Sequence, residues 1–149
     1  MPNAIFRSTN VEPRTISDRT VSGALLPCTA VSIGATQLTQ ATAVSATNLA
    51  LLGPRDFYGL STASTEVLKT PYVSGETGIA YKLRPDDQVV WAMAAGTYTY
   101  GQELTVAASG RLAAAAATNI VVAFYDQAGA TLSAGDLADV CVANFYTKA

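Results

Sequence analysis

Apolar positions in this chain recur at every second residue in short runs, and the runs end at glycine- or proline-centred turns. The clearest run is Gly78 to Arg84, where Ile79, Tyr81 and Leu83 alternate with Gly78, Ala80, Lys82 and Arg84, the period of a half-buried strand. Arg84-Pro85-Asp86-Asp87 follows, with proline at the second position of a predicted type I turn. Gln88 to Ala95 then returns with Val89, Trp91 and Met93 on one face and Val90, Ala92 and Ala94 on the other. The two runs predict a hairpin. The small residues opposite Trp91 predict a face pressed close to another sheet or subunit.

The same grammar continues from Gly96 to Phe145, with turns at Tyr100-Gly101-Gln102, Ser109-Gly110-Arg111, Ala128-Gly129-Ala130 and Ala134-Gly135-Asp136. Strands are predicted at Asn119 to Tyr125 and at Asp139 to Phe145. The run Ala113 to Ala117 is helical by intrinsic propensity. It follows Ser109-Gly110 closely and lies between β-rich segments, which favours a strand of small side chains. Nearer the start, Thr20 to Ile33 is apolar on both faces, and Pro27 within it implies an edge or a bulge. Gln37 to Thr47 alternates weakly, and Leu49-Ala50-Leu51-Leu52 is a short apolar run closed by Gly53-Pro54. Residues 60–76 are Ser/Thr-rich, an excursion of the length that usually makes contacts. Short strands with regular turn signals predict an all-β fold, a small antiparallel β-barrel or sandwich.

Residues 1–20 break the pattern. They are polar, lack a period and hold Pro2 and Pro13, with Ile5, Phe6, Val11 and Ile16 as the large apolar residues. Such a segment buries too little to fold alone, so it is either a frayed terminus or an arm laid on a partner, and the expectation is an extended N-terminal arm on a single β-rich domain spanning 21–149. Ile5 and Phe6 are the arm's candidate apolar anchors, and Arg7, Arg14 and Arg19 its candidate partners for acidic groups. The adjacent aromatics Phe57 and Tyr58, bounded by Gly53 and Gly59, form a second candidate contact.

Composition narrows the chemistry. Half of the 149 residues are hydrophobic and only 13% are charged, against about 25% in an average globular domain. A surface so poor in charge suits flanks covered by neighbours, hence an expected homo-oligomer. Nine Lys and Arg are scattered among eleven Asp and Glu, for a net charge of −2, without the basic stripe of a nucleic-acid binder. No apolar run reaches the ~18 residues of a membrane span. The opening Met1-Pro2-Asn3 lacks a charged and then apolar leader, and the expectation is synthesis in a reducing cytoplasm. There is no histidine, which removes Ser-His and Cys-His nucleophiles. Cys28 and Cys141 are isolated and read as small buried hydrophobes, not zinc ligands. Asp86-Asp87 and Asp136/Asp139 sit at turns, where Asp bonds backbone. Neither catalysis, cofactor nor metal is expected.

One stretch resembles a known family. Tyr100-Gly101-Gln102-Glu103-Leu104-Thr105-Val106, then Ser109-Gly110-Arg111-Leu112 with Ala113 to Ala117, then Ala134-Gly135-Asp136 before Val140-Cys141-Val142 is similar to the capsid decoration (cement) proteins of tailed bacteriophages. The resemblance covers the last third of the chain. It implies a compact β-barrel or β-tulip domain on the outer capsid surface of the virion, without catalytic residues. It also implies the major capsid protein as partner, a homotrimer as the assembly, and a terminal arm that clasps the shell. Two other readings stay open: a head, tail-fibre or carbohydrate-binding virion module, and a soluble small-ligand barrel in which Trp91 and the tyrosines line a cavity.

Overall fold

The computed structural model describes residues 5–8, 14–44, 48–55 and 67–149. The described chain is nearly all β. Its strands are β1 (Phe6–Ser8), β2 (Arg14–Val21), β3 (Ala30–Ile33), β4 (Gln37–Gln40), β5 (Leu49–Leu52), β6 (Thr77–Lys82), β7 (Gln88–Ala92), β8 (Gly96–Tyr98), β9 (Glu103–Val106), β10 (Leu112–Ala114), β11 (Ile120–Tyr125), β12 (Ala130–Leu132) and β13 (Leu137–Thr147). Five of them close a barrel in the order β2-β4-β3-β5-β6. A six-stranded sheet runs β1-β7-β13-β11-β9-β10, and β8 pairs with β12 beside it. The strand pairs are antiparallel except for β2 and β4, which run parallel with Val21 opposite Leu38.

The side-chain period of two sorts residues between two cores. Val31, Ala50, Leu52 and Ala80 point into the barrel, where they meet Val21, Leu38 and Tyr72. Ala30 and Leu51 point outward from the same strands, onto a second core with Val89, Trp91, Met93, Leu104 and Val140 of the sheet. Hence Leu49-Ala50-Leu51-Leu52 is apolar at every position: all four residues are buried, in two different places. A strand covered on both faces reads as a continuous apolar run instead of an alternation.

The predicted hairpin does not form. β6 pairs with β2 and β5 in the barrel, while β7 pairs with β1 and β13 in the sheet. The turn between them is real, with Asp87 N–H donating to the Arg84 carbonyl at 3.2 Å. However, Asp86 has φ +72°, the left-handed third position of a type II turn, not a type I turn. The turn is also stitched to β13, since Asp86 N–H donates to the Val142 carbonyl and Val142 N–H to that of Asp87. Tertiary pairing thus sends the two strands into different sheets.

Two other expectations are refined. Of the stretch assigned to an arm, Arg14–Val21 is the longest barrel strand, and Phe6–Ser8 is an edge of the six-stranded sheet. The polar outer positions of β2 hid it, because only Ile16 and Val21 turn towards apolar neighbours. The alanine run is a strand only as far as Ala114. Ala115 to Ala117 then turn the chain into β11, with Ala116 N–H held by the Asn119 side chain at 2.8 Å.

Barrel and sheet are locked by the turn Ala108–Gly110. Ser109 and Gly110 are successive left-handed residues, φ +59° and +66°, and the Gly110 carbonyl accepts the Trp91 indole N–H at 3.0 Å. A Cβ on Gly110 would fall 2.5 Å from the Ala30 carbonyl oxygen and 2.7 Å from its nitrogen, besides striking the Gln40 amide. At Gly101, also left-handed at φ +78°, a Cβ would meet nothing within 4 Å. Gly101→Ala should therefore cost about 1–2 kcal/mol, the conformational term alone. Gly110→Ala should cost at least about 2 kcal/mol more, because backbone must also shift. Denaturant unfolding of both variants measures the difference, and equal losses would show that no close approach exists at Gly110.

Candidate functional site

The contact residues expected from sequence are dispersed. Ile5 is 4% exposed and belongs to the main core of its own chain, with its carbonyl accepting Val90 N–H at 2.7 Å. Phe6 pairs with Val89 in the backbone of β1, beside Arg7. Arg19 is engaged locally: its Nε donates to the Gly34 carbonyl at 3.0 Å and its guanidinium pairs with Asp18. Arg14 is exposed, in register with Lys82. Phe57 and Tyr58 lie outside the described residues.

The groups with nucleophilic or ligating chemistry serve the fold. Asp87 accepts Arg84 N–H at 3.0 Å and Asp136 accepts Ser133 N–H at 2.8 Å, each closing its own turn. Both cysteines are free. Burial pushes the Cys28 thiol up to about 12. Cys141 is raised as well, by burial first and then by the nearby Asp126, Asp86 and Asp87 carboxylates. Thiols so shifted stay protonated at neutral pH and are poor nucleophiles. Among the described residues no group of His, Cys, Asp and Glu could hold a metal ion.

What the fold does build is an uncharged groove. It has a volume of about 470 Å³ and is lined by Ala43, Val44, Thr105, Val106, Ala113 and Ala114, then by Thr118 to Ile120. It runs beside β10, the outer strand of the six-stranded sheet. Directly after β10, the Ala115 carbonyl accepts Lys148 Nζ at 3.0 Å. That ammonium also pairs with Glu103 at 2.9 Å, and Glu103 accepts the Tyr146 hydroxyl at 2.6 Å. The end of β13 is thereby tied to β9 across β11.

Tyr100, at the tip of the β8–β9 turn, is 74% exposed, and Tyr146 is 38% exposed. In the sequence the adjacent pair Phe57-Tyr58 is the visible aromatic signal, whereas Tyr100 is marked only by its place before Gly101 at a turn tip. No protein-family model matches the chain, and no curated protein does. No helix among the described residues is long and apolar enough to cross a membrane.

The Glu103 cluster carries a pH signature. Hydrogen bonds from Tyr146 and then Lys148 hold the Glu103 carboxyl below its ordinary range. A depressed carboxylate contributes stability that is present above its unfolded-state pKa and is lost as pH falls through the folded value. Glu103→Gln should thus flatten the acid limb of stability between about pH 5 and about pH 3. Unfolding free energies of both proteins across that window test this, and parallel acid limbs would refute it.

Proposed function

We propose that this protein is a structural component of a tailed-phage capsid, binding the outer shell surface and bridging neighbouring capsomers as a homo-oligomer, a trimer in the family it resembles. The observation that carries this reading is the uncharged groove beside the outer strand β10. Interface centres are depleted of charge, because a charge must be stripped of water before it can be covered. Small and apolar side chains are cheap to cover. The exposed Tyr100 supplies an aromatic of the kind that anchors interfaces, and Arg14, exposed on β2, is a cation available to a capsid carboxylate.

The packed interior argues against a ligand held inside the barrel or beside Trp91. Val21, Val31, Leu38, Leu52 and Tyr72 fill the barrel, and the void beside Trp91 measures about 20 Å³. That volume holds about one water.

Ala114→Glu places a charge on the exposed last residue of β10. It should change stability by no more than about 0.5 kcal/mol, as surface substitutions do. It should weaken capsid binding tenfold or more, about 1.4 kcal/mol. Co-sedimentation with capsids of the encoding phage reads this, with Thr39→Glu on the barrel as control. Absence of saturable binding by the unmodified protein would sink the capsid reading, and equal binding by Ala114→Glu would remove the groove from it.

A further inference from the structure

A second cleft lies where the barrel meets the sheet, and its chemistry differs from that of the groove. It has a volume of about 410 Å³. Its lining is apolar at Leu26, Pro27, Leu68, Ala92 and Leu137. It is charged at Arg111, the residue after the left-handed pair Ser109-Gly110, at the exposed Lys69 and at Asp136.

Arg111 is half-buried, yet its guanidinium has no hydrogen-bond or ion-pair partner among the described residues. Asp136 lines the same cleft, but its carboxylate is engaged by the Ser133 N–H of its own turn. Gly135 packs beneath the fork: a Cβ there would touch Arg111 Nη2 at 3.7 Å, and its φ of +90° favours glycine. Thr29 and Gln40 close the floor. The Thr29 hydroxyl donates to the Leu26 carbonyl at 2.6 Å and accepts Gln40 Nε2 at 3.2 Å, and that amide also donates to the Ala30 carbonyl at 2.7 Å.

We propose that this cleft binds a carboxylate carried on a short apolar stem, with the Arg111 guanidinium as its anchor. The Arg111 guanidinium is half-buried with its nitrogens still open to solvent, so an incoming acceptor can reach them. Here the protein leaves its whole donor fork unused. That fork matches the two oxygens of a carboxylate in a bidentate pair. The apolar part of the lining suits a few methylene groups. Lys69 and Asp136 also line the cleft and offset each other in charge, so the preference for a carboxylate over phosphate rests on the apolar lining, which suits a methylene stem. The same carboxylate chemistry is offered by a free small acid and by a glutamate side chain of a bound chain. The inference does not rest on the capsid reading, and its test uses no capsid.

Butyrate titrated into ¹⁵N-labelled full-length protein should give saturable shifts at the Arg111 side-chain N–H and the Ser109, Gly110 and Gln40 amides, with a midpoint in the millimolar range. Arg111→Gln should abolish them while leaving the melting transition unchanged. Arg111→Lys, which keeps the charge and loses the fork, should weaken binding tenfold or more. A blocked Ala-Glu-Ala peptide binding more tightly than butyrate identifies a partner chain as the source, and the reverse order identifies a free acid. No saturable shift, equal shifts with butylammonium, stronger binding of inorganic phosphate, or full binding by Arg111→Gln would each overturn the assignment.

Discussion

Leu49 and Leu51 on one face of β5, and Ala50 and Leu52 on the other, place one four-residue strand in two cores at once. The rest of the structure depends on that shared wall. Fully burying a leucine side chain contributes about 1.5–3 kcal/mol. Because the contributions fall on both sides of a single backbone, neither the barrel nor the six-stranded sheet can move without exposing the other. The wall also explains the connection order. β6 pairs beside β5 in the barrel and β7 lies in the sheet that covers it, so the turn at Pro85 hands the chain from one layer to the next.

Hydrophobic burial is not directional, and a wall of leucine and alanine alone would allow the two layers to slide. The turn at Ser109-Gly110 supplies the register. Gly110 brings its backbone against that of Ala30, while its carbonyl takes the Trp91 indole N–H. The buried indole is thus satisfied by the element that pins the barrel. A polar group deep in apolar packing is costly unless paired, so this bond selects one relative position of the layers from many of similar burial. The two left-handed residues are the local cost of reaching that position.

Much of this was legible in the chain. Turns at Gly101, Gly110 and Gly135, the run at Leu49 to Leu52 and the strand from Asn119 to Tyr125 are carried by short-range chemistry, and they stand where periodicity put them. β2 was not legible: its outer positions are Arg14, Ser17, Asp18 and Arg19, and it holds its place through pairing with β6, 57 to 68 residues further along the chain. The hairpin at Pro85 failed for the related reason that a sound turn specifies a reversal of the chain, not which strands then pair. Of the candidate contacts, Ile5 went into its own core because a strand at the sheet edge covers more apolar surface within the chain than an isolated arm residue could. The Arg111 cleft left no trace in sequence. It arises where the turn before Leu112 and the loop ending at Leu137 come together with the barrel.

The described charges are not spread evenly over this architecture. Arg55 grips Glu76 through two nitrogens, Arg19 pairs with Asp18, and Lys148 joins Glu103. The Arg55–Glu76 pair joins the loop after β5 to the residue before β6, and the Lys148–Glu103 pair joins the chain after β13 to the start of β9. Between them lie surfaces such as the groove beside β10, where neither sign of charge occurs. Exposed ion pairs add about 0–1 kcal/mol each, so little stability is sacrificed by leaving a surface without them. What changes is the cost of covering that surface, which falls when no ion must be dehydrated. The groove beside β10 is thus a neutral surface that can be covered without dehydrating an ion.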